Sequence, residues 1–366
     1  MTEIYNDPTK RHDFVFLFDV KNGNPNGDPD AGNLPRIDPI TRHGIVTDVC
    51  IKRKIRDYVS VILGKPIFIQ SEYALNTLIY RAAKEIGVEP PTVIIKDEDE
   101  DLITWFKEHP IDDFEIDKNE LRFTGEKYNQ KNVKAALLKD VDNDDMKKKI
   151  NAIVKQLSDS SKGKKIGPEE KKLTKEKMIE TYFDIRMFGA VLSTGLNAGQ
   201  VRGPMQITFA RSIDPIFPMD ITITRVAITK EEDKARKQTE MGRKPFIGYG
   251  LYRAHGFYNP YLANKVTEDD LKDFWEALKE MFEHDHSASR GEMHTQGLWV
   301  FSHNSNKGDA PSHKLFDLIK IDPFGEYPSK YEDYQMKINS PVNEVLESNY
   351  KLETEKYPKV TLNRLV

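Results

Sequence analysis

The chain has 366 residues, 38% of them hydrophobic and 31% charged, with a net charge of −4 and a single cysteine. That length accommodates one large elaborated domain or two modest ones. The lone Cys50 excludes an internal disulfide and a Cys-rich zinc site, and the near-neutral balance argues against a generic polyanion binder.

The opening residues MTEIYNDPTKRHD carry no apolar leader-like run, and the first apolar run, FVFLFDV, is far too short to span a bilayer. With one cysteine, this leads to the expectation of a cytoplasmic protein with no membrane partner. Residues 13–20, DFVFLFDV, are dense in β-formers and end in turn residues, which predicts a buried strand. The stretch FDVKNGNPNGDPDAGNLPRIDP then interrupts regular structure. Thr47 is placed to N-cap a helix reaching about Leu63, with Ile51, Ile55, Tyr58 and Ile62 as its apolar face.

From 66 to 177 the composition turns acidic, then lysine-rich. DEDED (97–101), DDFEID (112–117) and DVDNDD (140–145) collect the acids, and SEYALNTLIYRAAKEIG and MKKKINAIVKQLS predict helices. The tail SSKGKKIGPEEKKLTKEK reads as mobile and solvated, so this segment is expected to be an insertion packing weakly on the rest. A helix from about Lys175, EKMIETYFDIRMFGAVLS, returns to core-like composition. The Gly-rich TGLNAGQVRGP follows, then the alternating strand MQITFARS. DITITRVAIT and KPFIGYGLYRAHGFY, joined by KEEDKARKQTEMGR, predict a long hairpin arm. Thr267 and Asp270 form a candidate capping box for a helix with Leu271, Phe274, Leu278, Met281 and Phe282 on one side, and QGLWVFSH reads as a last strand. With the insertions collapsed the order is strand, helix, strand, strand, helix, strand. This predicts an α+β fold of ferredoxin-like, split βαβ type, the arrangement also used by RNA-recognition motifs.

Several motifs carry chemistry. Asp28, Asp30, Asn33 and Asp38 invite a calcium reading, but from Asp28 the EF-hand spacing fails: Asn33 stands where Gly is required and Pro39 where Glu is required. The plain alternative is a loop whose Asn and Asp side chains bond their own backbone; a magnesium held by these Asp residues stays open. Lys52, Arg53, Lys54 and Arg56 are expected opposite or beside the apolar face of the first helix, with Lys52 and Arg56 one turn apart. Phosphate binding competes there with an ordinary solvated face. STGLNAGQVRGP lacks the endings of a P-loop and the spacing of a dinucleotide fingerprint. Gly195, Gly199 and Gly203 would still let backbone approach a ligand, with Gln200 and Arg202 as donors, against the alternative of a flexible turn. In the arm, Arg236, Lys237, Arg243 and Lys244 flank Met241 and precede Phe246 and Tyr249, a mixture suited to a single strand. No G-x-S-x-G is present, and His284, Asp285 and His286 read more simply as a frayed helix end than as a zinc site.

FDVKNGNPNGDPDAGNLPRIDPITRHGIVTDVCIKRKIRDYV and MFGAVLSTGLNAGQVRGPMQITFARSIDPI together resemble the type I-C member of CRISPR-associated family seven, which forms the backbone of the Cascade surveillance complex. The resemblance implies an RNA-recognition-like palm (1–65 and 178–366), a helical fingers insertion (66–177) and a β-hairpin thumb (213–247). It implies RNA contacts at Thr47, Lys52, Arg53 and Arg56 on the first helix, at Asn197, Gln200 and Arg202 in the Gly-rich loop, and at Met241 with Arg243 and Lys244 in the thumb. Asn22 and Asn24 join that set as uncharged side chains able to bond RNA or neighbouring backbone. The partners implied are a CRISPR guide RNA, further copies of the chain in a helical filament, the guide-processing, large and small Cascade subunits, and target DNA through the guide. No catalytic residue and no cofactor are carried over. Type III relatives cut RNA with an Asp in the loop after the first strand. A metal-dependent ribonuclease using Asp28, Asp30 or Asp38 is therefore the alternative, and a guide-processing endonuclease using His43 or His255 is the other.

Overall fold

The computed structural model describes residues 3–111, 113–125, 128–139, 141, 143–161, 167–192, 198–227, 240–338 and 357–366. Its contacts divide the chain into two units, Met1–Lys65 with Pro204–Val366, and Pro66–Gly203. Both mix helices with antiparallel sheet.

The first unit is built on a sheet of eight strands. In chain order these are β1 (His12–Gly23), β2 (His43–Val46), β3 (Met205–Ile207), β4 (Ala210–Pro215), β5 (Pro218–Arg225), β6 (Glu240–Tyr258), β7 (Glu292–His303) and β8 (Val360–Arg364). They run in the order β8-β7-β1-β6-β4-β2, with β3 and β5 also pairing with β6, and every pair is antiparallel. Two helices, α1 (Asp48–Val61) and α2 (Glu268–His284), cover one face.

β1 is apolar on both sides because both are covered. Phe14, Phe16 and Phe18 face the helices: Phe14 meets Trp275 edge-on at 5.3 Å and Phe18 meets Phe282 at 5.2 Å. Val15 and Leu17 point the other way, into a cluster with Trp299, Phe301, Phe316, Ile319 and Leu362. Gly256 stands opposite Phe14 in the register, and a methyl group there would overlap the Phe14 ring. The Thr267–Asp270 capping box is present at the start of α2, with Thr267 N donating to Asp270 Oδ2 at 2.9 Å and Asp270 N to Thr267 Oγ1 at 3.1 Å.

Several expectations change here. β7 is not the last strand. A hairpin (Ile319–Pro323 with Tyr334–Ile338) and the edge strand β8 follow it, and residues of both enter the second-face cluster. MQITFARS is two strands, broken where the Thr208 hydroxyl accepts from His255 N at 3.0 Å. Ile62 caps α1 and is 43% exposed, so it leaves the apolar face.

In the second unit, the expected helices are Leu75–Glu85 and Asp144–Ser160. The acidic run 97–101 opens a further helix, Glu100–Glu108, beside a three-stranded sheet (Thr92–Ile94, Phe114–Asp117, Glu120–Phe123) that the sequence reading did not foresee. Part of the tail expected to be solvated is the helix Pro168–Thr181, which starts with Pro at its first turn and Glu170 Oε2 accepting from Gly167 N at 2.9 Å. Met178, Ile179 and Tyr182 pack with Leu78, Ile79 and Ala82, so the chain returns to the first unit at Pro204 rather than at 178. Among the described residues, no helix is long and apolar enough to cross a membrane.

Gly256→Ala forces Phe14 out of its place in a closely packed layer, and overpacking of this kind costs roughly 1–3 kcal/mol. A lowered urea midpoint in equilibrium unfolding, with native-like circular dichroism at zero denaturant, is the expected result.

Candidate nucleic-acid interface

The Asn- and Gly-rich loop is tied down by its own polar side chains. Asn24 is buried, its Nδ2 donating to Asn33 O at 2.7 Å and its backbone N donating to Ser289 O at 2.7 Å. This side chain is spent on the loop rather than displayed. Asn26 Oδ1 accepts from both N and Oγ1 of Thr47 at 3.0 Å. Thr47 in turn caps α1, its Oγ1 accepting from Cys50 N at 3.4 Å. The Thr47 hydroxyl therefore joins loop to helix. Asn22 is exposed, in the left-handed region at φ 49°, which Asn tolerates better than most residues.

Two of the loop carboxylates, Asp28 and Asp38, are engaged in the same way, while Asp30 is exposed. Asp28 Oδ1 accepts from Asp30 N at 3.2 Å and lies 3.4 Å from Arg36 Nη1. Asp38 accepts from Ile40 N and Thr41 N at 3.0 and 3.1 Å and from Arg211 Nη1 at 3.0 Å. The backbone bond from Thr41, then the Arg211 side chain, hold its pKa down to about 2. Among the described residues, no three His, Cys, Asp or Glu side chains gather as a metal-holding group. The two candidate general bases are likewise occupied. His43 Nδ1 bonds Ser212 O at 2.7 Å. His255 stacks on Phe316 with centroids 4.3 Å apart, and its Nε2 accepts from Arg253 Nε at 2.9 Å. Burial, then the adjacent guanidinium, push the His255 pKa down to about 4.

The basic helix differs from its sequence reading. Lys54 is buried, neither opposite nor beside the apolar face, and pairs with Asp285, which also holds Arg290 Nε at 3.0 Å. Helical spacing allows this because the end of α2 brings an acid to a position that α1 alone gives no sign of. Lys52 pairs with Asp48 at 3.0 Å and Arg53 with Asp57 at 2.6 Å. Arg56 is half-buried and also engaged. Four basic residues in five thus present much less unpaired charge than their spacing suggests.

In the second unit, Gln200 and Arg202 alternate with the buried Val201 on the strand Gly199–Arg202, so both side chains reach solvent on one face. Gly203 serves the chain itself: a Cβ there would overlap the backbone of Phe188 and Gly189. Gly199, at φ 85°, has open space where a side chain would stand. Asn197 and Gly195 lie outside the described residues.

The hairpin β5–β6 separates its three candidates. Register pairs Met241 with Thr224 and Arg243 with Thr222, which puts Met241 and Arg243 on one face. Lys244 pairs with Ile221 on the opposite face, with Met219, Ile223 and Phe246. Met241 is 81% exposed, and the Arg243 side chain is 80% exposed while reaching Asp220 at 3.0 Å. Sequence reading missed this split, although strand alternation alone carries the signal. Arg236 and Lys237 lie outside the described residues.

A family model, CRISPR-associated protein Cas7, matches residues 10–114 and 118–339. A curated CRISPR-associated protein Cas7 from Haloferax volcanii is 49% identical over 47 residues, an alignment spanning 13% of this chain and only 14% of that relative. Two solved chains titled CRISPR RNA-guided surveillance complex, one of them pre-nicking, each cover 82% of this chain and 79% and 77% of their own. They align at 15% and 14% identity with TM-scores of 0.45 and 0.38. The chain belongs to the Cas7 family of CRISPR-associated proteins.

Arg211→Gln removes one of the bonds that keep Asp38 ionised. The carboxyl's midpoint should then climb from about 2 toward the ordinary aspartate range. A depressed folded pKa supplies stability above the unfolded value that is lost as pH falls through the folded one. In the unsubstituted chain the 38–41 turn therefore loosens between about pH 4 and 2, and in the variant at higher pH; carboxyl carbon NMR titration of Asp38 reads the difference directly.

Proposed function

We propose that this chain is a CRISPR RNA-binding backbone subunit of a type I-C Cascade complex, acting in the cytoplasm as a scaffold without catalytic chemistry. Further copies assemble along the guide as a helical filament, and each holds a segment in a kinked display that leaves the bases to pair with target DNA. The guide-processing, large and small subunits complete the assembly.

The observation that carries this reading is the exposed Met241–Arg243 face of the hairpin. An apolar group two residues from a guanidinium supplies a wedge for bases beside a contact for phosphate. Gln200 and Arg202 add a second exposed donor pair. The order β7-β1-β6-β4, with α1 following β1 and α2 preceding β7, supports an RNA-recognition-like palm of split βαβ type. On this reading the unit Pro66–Gly203 is the fingers and 213–247 the thumb. Family membership supports the assignment to CRISPR defence. Engagement of Asp28 and Asp38 by backbone and arginine supports a structural rather than a hydrolytic loop. Thr47, Lys52, Arg53, Arg56 and Asn22 then shape and flank the RNA path, with the paired cations exchanging carboxylate for phosphate on binding.

Fluorescence anisotropy with single-stranded RNAs of unrelated sequence tests this. Arg202→Ala and Arg243→Ala should each weaken all of them about equally and flatten the log–log salt dependence by roughly 0.7. Met241→Ala should lower affinity without altering the slope. A loss confined to one sequence overturns the scaffold reading.

A further inference from the structure

The second unit contains a cleft of about 680 Å³ whose lining belongs to none of the RNA contacts named above. It lies in the size range of small-ligand pockets. Two arginine–tyrosine stacks line it: Arg81 sits 4.0 Å over the Tyr73 ring and Arg122 sits 4.8 Å over the Tyr80 ring. The two arginines are held differently. Arg122 is largely buried and paired with Asp117 and Glu120, yet its Nη1 has no acceptor. Arg81 rests on the Tyr73 ring; like Lys84 and Lys118, which also line the cleft, it forms no salt bridge among the described residues. Lys118 is fixed in the two-residue turn between Phe114–Asp117 and Glu120–Phe123, in the left-handed region at φ 57°.

We propose that this cleft binds one nucleotide unit of a single strand, with a nucleobase stacked at Tyr73–Arg81 and its phosphodiester on Lys84 and Lys118. A planar base is the group that a guanidinium resting on a phenol ring accommodates, and every base has a face to offer. Charge disfavours a highly charged ligand. Asp117 and Glu120 are spent on Arg122. The cations Arg81, Lys84 and Lys118 face Glu72 and Glu89, and the two acids on Arg122 exceed its one charge, so the four cations and four acids of the lining cancel. A neutral lining disfavours a triphosphate and leaves a single phosphodiester charge to be met locally by Lys84 and Lys118. This goes beyond the scaffold reading and does not depend on it, because its residues are separate.

Isothermal titration of the full chain with the dinucleoside monophosphate ApA, with ATP and with inorganic phosphate tests it. ApA should saturate, ATP should bind at least about 10-fold more weakly, and phosphate should not saturate. Stacking of this strength makes Tyr73→Ala and Arg81→Ala each lower ApA affinity by about 10-fold, while Tyr73→Phe keeps it within about 2-fold. Unchanged thermal midpoints show that the variants fold. No saturation by ApA, tighter binding of ATP, equal competition by phosphate, or indifference to Arg81→Ala each overturns the proposal. If long RNA binds normally while ApA does not, the cleft proposal fails and the scaffold reading survives.

Discussion

The first unit depends on a strand with two insides. β1 sends Phe14, Phe16 and Phe18 into the helices and Val15 and Leu17 into a second cluster, so its neighbours must cover both faces at once. Each buried side chain of this size contributes about 1.5–3 kcal/mol. Because side chains alternate at a period of two, slipping β1 by one residue would exchange the aromatic and aliphatic sets. The register with β6 and β7 is therefore held by shape, and Gly256 opposite Phe14 is one visible mark of it.

The candidate interface follows from that register. β6 runs from the packed sheet at Tyr258 out to the hairpin, so the alternation that buries Tyr252 and Ala254 also decides which arm residues share a face. Met241 and Arg243 are exposed together, and Lys244 goes with the apolar side. At the Gly23 end of β1, the loop reaches α1 through Asn24, Asn26 and Thr47, polar side chains that tie the turn to the helix. A loop composed of Asn, Asp, Gly and Pro can be read as metal-binding or as RNA-facing. Its geometry is mainly that of a brace.

Electrostatics divide along the same line. The protein spends many of its cations on its own acids: Lys52 on Asp48, Arg53 on Asp57, Lys54 on Asp285 and Arg211 on Asp38. Exposed pairs of this kind add little stability, and a phosphate can compete for the cation. Lys54 is different. Buried between the helices, it has no solvent to return to, and losing Asp285 would strand its charge.

The sequence by itself determined the elements whose signals are local. The β1 run, the α1 cap at Thr47, the Thr267–Asp270 capping box and the alternation of the arm all rest on spacing within a few residues, which the backbone obeys wherever it lies. Two long motifs sufficed for the family. Tertiary structure alone decided which charges are paired, because Lys54 and Asp285 stand 231 residues apart and no local pattern links them. It also decided that Met178 and Ile179 pack with the helical unit, and that β8 and the 319–338 hairpin close the second face of the sheet. These outcomes depend on which apolar surface each segment finds in three dimensions, and burial has no period along the chain from which that choice could be read.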